Sequence, residues 1–82
     1  MLFTYTHHAK QMIEERGLIR EWVERTVLEP ETVEPDPKHP ARTRAFRTVP
    51  ERDGRVLRVV YVQDGENFRV ITLFLDRGRR KR

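Results

Sequence analysis

Two Asp-Gly pairs, Asp53-Gly54 and Asp64-Gly65, separate three runs rich in Val, Ile, Leu, Phe, Tyr and Thr, at about residues 43–50, 55–63 and 66–75. A two-residue type I′ turn needs positive φ at both central positions, and Asp followed by Gly supplies that at little cost. The second half of the chain is therefore expected to be a β-meander. Nothing else limits the fold as tightly, because two-residue turns also fix register, and register fixes which face each side chain takes.

In that register Arg52 pairs with Arg55 and Gln63 with Glu66. Arg47 then lies opposite Val60, Phe46 opposite Tyr61, Val60 opposite Arg69 and Tyr61 opposite Phe68. One face is expected to carry Phe46, Leu57, Val59, Tyr61, Phe68, Val70 and Phe74 and to bury against helices. The other is expected to carry Val49, Val60, Val62, Ile71 and Leu73 together with Arg47, Arg58 and Arg69. Like charges gathered in this way call for an anionic guest, and phosphate suits the planar guanidinium fork. Loop carboxylates that neutralise the arginines, or arginine stems that cover Val and Ile, are the other readings of the same pattern.

The first half of the chain reads as helical. "LFTY" is a short strand candidate, Thr6 fits an N-cap, and Ala9, Met12 and Ile13 recur at helical spacing. Gly17 fits the left-handed position that ends a helix. Ile19, Trp22, Val23, Thr26 and Val27 continue as a second amphipathic helix that Pro30 stops, although Leu18-Ile19 offers it no capping side chain. "TVE" at 32–34 suits a brief strand, and "PDPKHP" is an irregular loop. The expected fold is α+β, in the order β-α-α-(β)-β-β-β. It is an antiparallel meander of three to five strands with two N-terminal helices packed on one face.

A chain of 82 residues makes one domain, expected over 1–75 with a basic C-terminal tail at 76–82. That tail, "DRGRRKR", carries the whole formal excess of +4, because acids and bases balance over residues 1–75. Arg77 and Arg79 within it are candidates for steering a polyanion, and a solvated end is the alternative reading. The absence of cysteine rules out disulfides and thiolate metal sites. No apolar run reaches transmembrane length and "MLFTYTHH" does not resemble a signal peptide, so the expected setting is cytoplasmic, without membrane contact.

His7 and His8 open the first helix about 100° apart, which suits no shared metal, and His39 lies in the proline loop. No metal and no cofactor is expected. The positive end of a helix disfavours imidazolium, so His8 reads either as a general base or as a polar contact locking helix to sheet. Without a Cys nucleophile or a Gly-rich phosphate loop, the chemistry left to this inventory is proton transfer and charge stabilisation. RNA cleavage fits it, since the 2′-hydroxyl is the substrate's own nucleophile.

"YTHHAKQMIEERGL", with His8-Ala9 and Glu15-Arg16-Gly17 as its core, then "LEP", "RVLRVVYV" and "FRVITLF", resembles the family called domain of unknown function 4258. That family is in turn distantly similar to RelE-type and BrnT-type toxins. The resemblance implies a RelE-like fold, an RNA-directed role in a toxin–antitoxin system, a metal-independent endoribonuclease activity and an antitoxin-like partner. The resemblance assigns no residue a role; those come from the register, the tail and the first helix, which make His8 and Arg58 the catalytic candidates, Lys10 a further candidate for moving protons, and Arg47, Arg58, Arg69, Arg77 and Arg79 the candidates for holding RNA. A non-catalytic RNA- or protein-binding module is the alternative.

Overall fold

Thr6 is where the chain turns from strand to helix. β1 (Phe3–Tyr5) runs into α1 (His7–Glu15), and the Thr6 hydroxyl oxygen accepts the Ala9 N–H at 3.0 Å while donating to the Ile71 carbonyl at 2.8 Å. One side chain thus caps the helix and ties it to the last strand. α1 ends as Gly17 implies. The Leu18 N–H reaches the Ile13 carbonyl, the Gly17 N–H reaches the Glu14 carbonyl, and Gly17 takes φ 62°. α2 (Arg20–Leu28) begins at once, with no side-chain bond from its N-cap Ile19.

The remaining strands are β2 (Thr32–Pro35), β3 (Thr43–Val49), β4 (Arg55–Asp64) and β5 (Asn67–Asp76). The computed structural model describes residues 1–79, and the last three residues of the basic tail lie outside the described residues. The sheet order is β1-β5-β4-β3-β2. β2 to β5 pair antiparallel, but β1 runs parallel to β5, with Phe3 opposite Phe68 and Tyr5 opposite Val70. The sheet is therefore mixed rather than a purely antiparallel meander. Chain direction explains this: α1 and α2 carry the chain over one face from the β1 edge to the β2 edge, so β1 lies beside the last strand.

Both helices pack on that one face. Ala9, Leu18, Val23 and Val27 bury against Ala45, Val49, Leu57, Val59, Tyr61, Val70 and Leu73. The expected partition of side chains needs two corrections. The first concerns β3. Val49, not Arg52, pairs with Arg55, because Pro50–Arg52 forms a 3-10 turn before Asp53 (φ 58°) and Gly54 (φ 73°) complete the connection. Asp-Gly does take positive φ twice, but inside a longer loop. Arg47 consequently faces Leu57, three residues from the expected Val60, and an odd slip reverses every side chain of β3. Phe46 goes to the open face, away from the helices, whereas Val49 and Arg47 go to the helix face.

The second correction concerns β5. Its turn places Asp64 opposite Asn67, an even slip that keeps Tyr61, Phe68 and Val70 on the helix face. A bulge follows: Tyr61 pairs with Val70 but Val60 with Thr72, so Ile71 is the extra residue. Beyond it Leu73 turns to the core and Phe74 to the open face, the reverse of the expected placement. The chain then leaves β5 in a second 3-10 turn, Arg77–Arg79, against β4. Among the described residues no helix is long and apolar enough to cross a membrane.

Replacing Thr6 with Val should cost about 1–3 kcal/mol, from a lost cap and a lost donor to Ile71. Thr6→Ser should retain most of the stability, and urea unfolding midpoints of the two variants will check this. A second expectation concerns the loop between β2 and β3. The Asp36 carboxylate accepts the Lys38 N–H at 2.9 Å and the His39 N–H at 3.4 Å, and Arg44 stands 3.8 Å away. These contacts, the Lys38 bond foremost, hold its pKa below the ordinary value. Its stabilisation is therefore complete above about pH 4 and drains away as pH falls through the lower folded value. Unfolding curves of Asp36→Asn should lose that part of the acid dependence; an unchanged acid limb would contradict it.

Candidate functional site

Faces decide where the arginines go, and they do not form the expected clamp. Arg47, on the helix face, donates through Nη1 to the Glu29 carbonyl at 2.6 Å and so closes the C-terminal end of α2. Arg58 stays on the open face in a cross-strand row between Phe46 and Phe74. Its guanidinium carbon is 4.9 Å from the Phe74 ring centroid and 5.9 Å from that of Phe46, and Nη1 is 3.9 Å from an Asp76 carboxylate oxygen. Arg69 pairs with Val62 and Thr4, exposed at the far end of the same face, about 13 Å along β4 from Arg58. Arg47, Arg58 and Arg69 therefore do not converge.

From the β2 edge to the end of β5 the open face pairs its charges instead. Arg44 meets Glu34 at 3.5 Å and Asp36 at 3.8 Å, and Arg79 meets Glu34 at 3.1 Å and Asp76 at 3.8 Å. Arg79 also lies 3.8 Å above the Phe46 ring. Arg44, Arg58 and Arg79 alternate with Asp36, Glu34 and Asp76 from the β2 edge to β5. Arg79, expected to reach for RNA, is thus part of the cover over Phe46, which is only 2% exposed.

Unpaired cations gather elsewhere. Among the described residues β1 pairs with Phe68–Val70 alone, so the Ile71–Asp76 half of β5 has β4 on one side and no described strand on the other. A groove of about 790 Å³ wraps around this free edge. α1 supplies His8, Met12, Glu15 and Arg16, an i, i+4, i+7, i+8 stripe. The β3–β4 connection supplies Arg52, and the first residue of β4 is Arg55. Thr72, Phe74 and Leu75 form the strand wall, and Arg77 closes the end. A recess of about 310 Å³ shares Arg55, Leu75 and Arg77 with it.

Two of the expected site residues, His8 and Arg77, line this groove. His8 is exposed and has no hydrogen-bond partner among the described residues, so the helix-locking contact foreseen for it is made by Thr6. Arg52 donates to the Arg16 carbonyl at 3.0 Å and the Gly17 carbonyl at 3.4 Å, fixing the connection to the C-terminal end of α1. The side chains of Arg16, Arg55 and Arg77 have no ion pair or hydrogen bond among the described residues. Four guanidinium groups thus share the groove with one carboxylate, Glu15, and with the apolar Met12, Phe74 and Leu75, while Asp76 in the adjoining recess is taken up by Arg58 and Arg79. The signal for this site lay in the stripe on α1 and in the two arginines flanking Asp53-Gly54, neither of which stands out without the β3–β4 connection.

Other polar pairs are structural. Tyr5 donates to Glu24 at 2.9 Å beneath Arg20; burial first, then that carboxylate, pushes its phenol up. Arg25 and Glu51 pair at 2.9 Å, and the Arg25 hydrogen bond holds Glu51 below the ordinary range.

No curated protein and no solved structure matches the chain. Residues 5–75, from the end of β1 almost to the end of β5, match a family described as domain of unknown function (DUF4258). The match spans α1 with its His8-Ala9 and Glu15-Arg16-Gly17 core as well as the meander, and the chain belongs to that family.

Proposed function

We propose that this chain is a toxin-like RNA-directed protein whose α1–β5 groove holds the sugar–phosphate backbone, with His8 as the base of a metal-independent endoribonuclease. The observation that carries this reading is that Arg16, Arg52, Arg55 and Arg77 line one groove with His8, with Glu15 as its one acid among the described residues. Guanidinium forks match phosphate oxygens and stabilise the charge that builds up at phosphorus. In the step itself the neutral His8 imidazole takes the proton of a 2′-hydroxyl. The 2′-oxygen attacks phosphorus, and the 5′-oxygen leaves with a proton from water, yielding a 2′,3′-cyclic phosphate and a 5′-hydroxyl. A basic groove of this kind also suits an acidic antitoxin-like partner that covers it, and a cytoplasmic setting goes with RNA as substrate.

Incubation with total RNA should give cleavage that His8→Ala slows by about 10²–10⁴-fold while leaving binding intact. Arg55→Ala combined with Arg77→Ala should weaken binding and flatten the log affinity against log salt slope by about 1.4, for two lost phosphate contacts. Arg69→Ala should leave cleavage unchanged. Binding without cleavage would keep the groove and remove the base. Phenylglyoxal mapping gives a separate check: an oligoribonucleotide should shield Arg55 and Arg77 from modification and leave Arg69 reactive.

A further inference from the structure

The groove holds more than phosphate chemistry needs. A site for phosphate alone is satisfied by donors and charge, yet this one has a floor of Met12, Leu75 and the partly exposed ring of Phe74. Its volume of about 790 Å³ falls within the roughly 300–1,000 Å³ of small-molecule sites. Phe74 is on the open face only because the bulge at Ile71 reverses the second half of β5. There it is held from behind: Arg58 lies 4.9 Å from the ring centroid, itself flanked by Phe46 and drawn toward Asp76 at 3.9 Å. The ring is thus fixed at the margin of a cationic groove, an aromatic surface beside backbone-binding arginines.

We infer that Phe74 is a base-stacking platform, that Arg58 is the positioning residue behind it, and that the groove takes single-stranded RNA by one unpaired base. The inference rests on the groove reading given above and adds to it the form of the ligand. Every nucleobase has a π-face, so such a platform tolerates sequence but demands an unstacked base. In a duplex the bases are stacked inside, and only the phosphates and the groove edges are offered.

The test is fluorescence anisotropy at fixed salt with three probes of equal length: a single-stranded oligoribonucleotide, its duplex, and an abasic sugar–phosphate strand. The wild-type chain should bind the single strand at least about 10-fold more tightly than the other two. Phe74→Leu should cost the single strand roughly 5- to 100-fold and leave duplex and abasic binding unchanged, with Phe74→Trp restoring the preference. Arg58→Met should lower the preference without altering the salt slope, since it touches the ring and not the phosphate. Equal affinity of the wild type for all three probes overturns the inference without any variant. So does a preference that survives Phe74→Leu while Arg55→Ala with Arg77→Ala still weakens binding; the groove would then stand as a phosphate site alone. If the arginine changes leave all three affinities untouched, the groove reading itself falls, and this inference with it.

Discussion

Pro50 sets the register on which the sheet depends. It has no N–H to give to a ladder and its φ suits the first position of a 3-10 turn, so the chain leaves β3 at Val49 and curls through Pro50–Arg52. Asp53 and Gly54 then bring it back through two left-handed residues. The pairing that results, Val49 with Arg55, sends Ala45, Arg47 and Val49 toward the helices and Arg44, Phe46 and Thr48 away from them. A connection one residue shorter or longer would place Phe46 in the core and Val49 outside it. Ala45, fully buried against the helices, leaves no room there for a phenyl ring.

The face turned away from the helices shows what this register requires. Phe46, Val56 and Val60 are at most 5% exposed although no helix covers them. Their cover is made of arginine stems and the Arg77–Arg79 turn, held flat by Glu34, Asp36 and Asp76. Ion pairs of this exposure contribute little each, about 0–1 kcal/mol. The Nε atoms of Arg44 and Arg58 even lack hydrogen-bond partners among the described residues, which opposes the gain. Burial of the aliphatic stems and the ring contacts of Arg58 and Arg79 is therefore the larger stabilising effect, and the carboxylates serve mainly to cancel charge. The same reasoning gives the arginines different jobs: most of those matched by acids or carbonyls hold the fold, Arg52 does so while lining the groove, and Arg16, Arg55 and Arg77 line it unmatched among the described residues.

Much of this was legible in local chemistry. Thr6 as cap, Gly17 as helix end, the stripe of Val23 and Val27, and strands broken at Asp53-Gly54 and Asp64-Gly65 all follow from effects within a few residues. What was not legible is parity. Whether Asp-Gly stands alone as a turn or ends a longer one is decided by Pro50 and by Arg52, whose donation to the Arg16 and Gly17 carbonyls lies 36 and 35 residues away in sequence. The bulge at Ile71 coincides with the Thr6 hydroxyl bond to the Ile71 carbonyl, another contact between distant segments. An error of one residue at either place moves every side chain beyond it to the opposite face. Local chemistry therefore places the strands, while contacts between distant segments decide which face each arginine takes.

The features that dissolve the expected cluster also build the groove. A two-residue turn would pair Arg52 with Arg55 directly across a hairpin. The longer connection lets Arg52 bond back to the end of α1, and Arg55, first residue of β4, lines the same groove. β1 pairs with only three residues of β5 because Thr6 ends it and begins α1. A longer β1 would have satisfied more of the β5 edge and filled part of the groove that His8, Arg16 and Arg77 now line. An open sheet edge with cations along it also resists pairing with another strand, which protects the protein from edge-to-edge association. The stretch of β5 left without a neighbour is therefore both where the fold is least complete and where its unmatched positive charge can meet an anion.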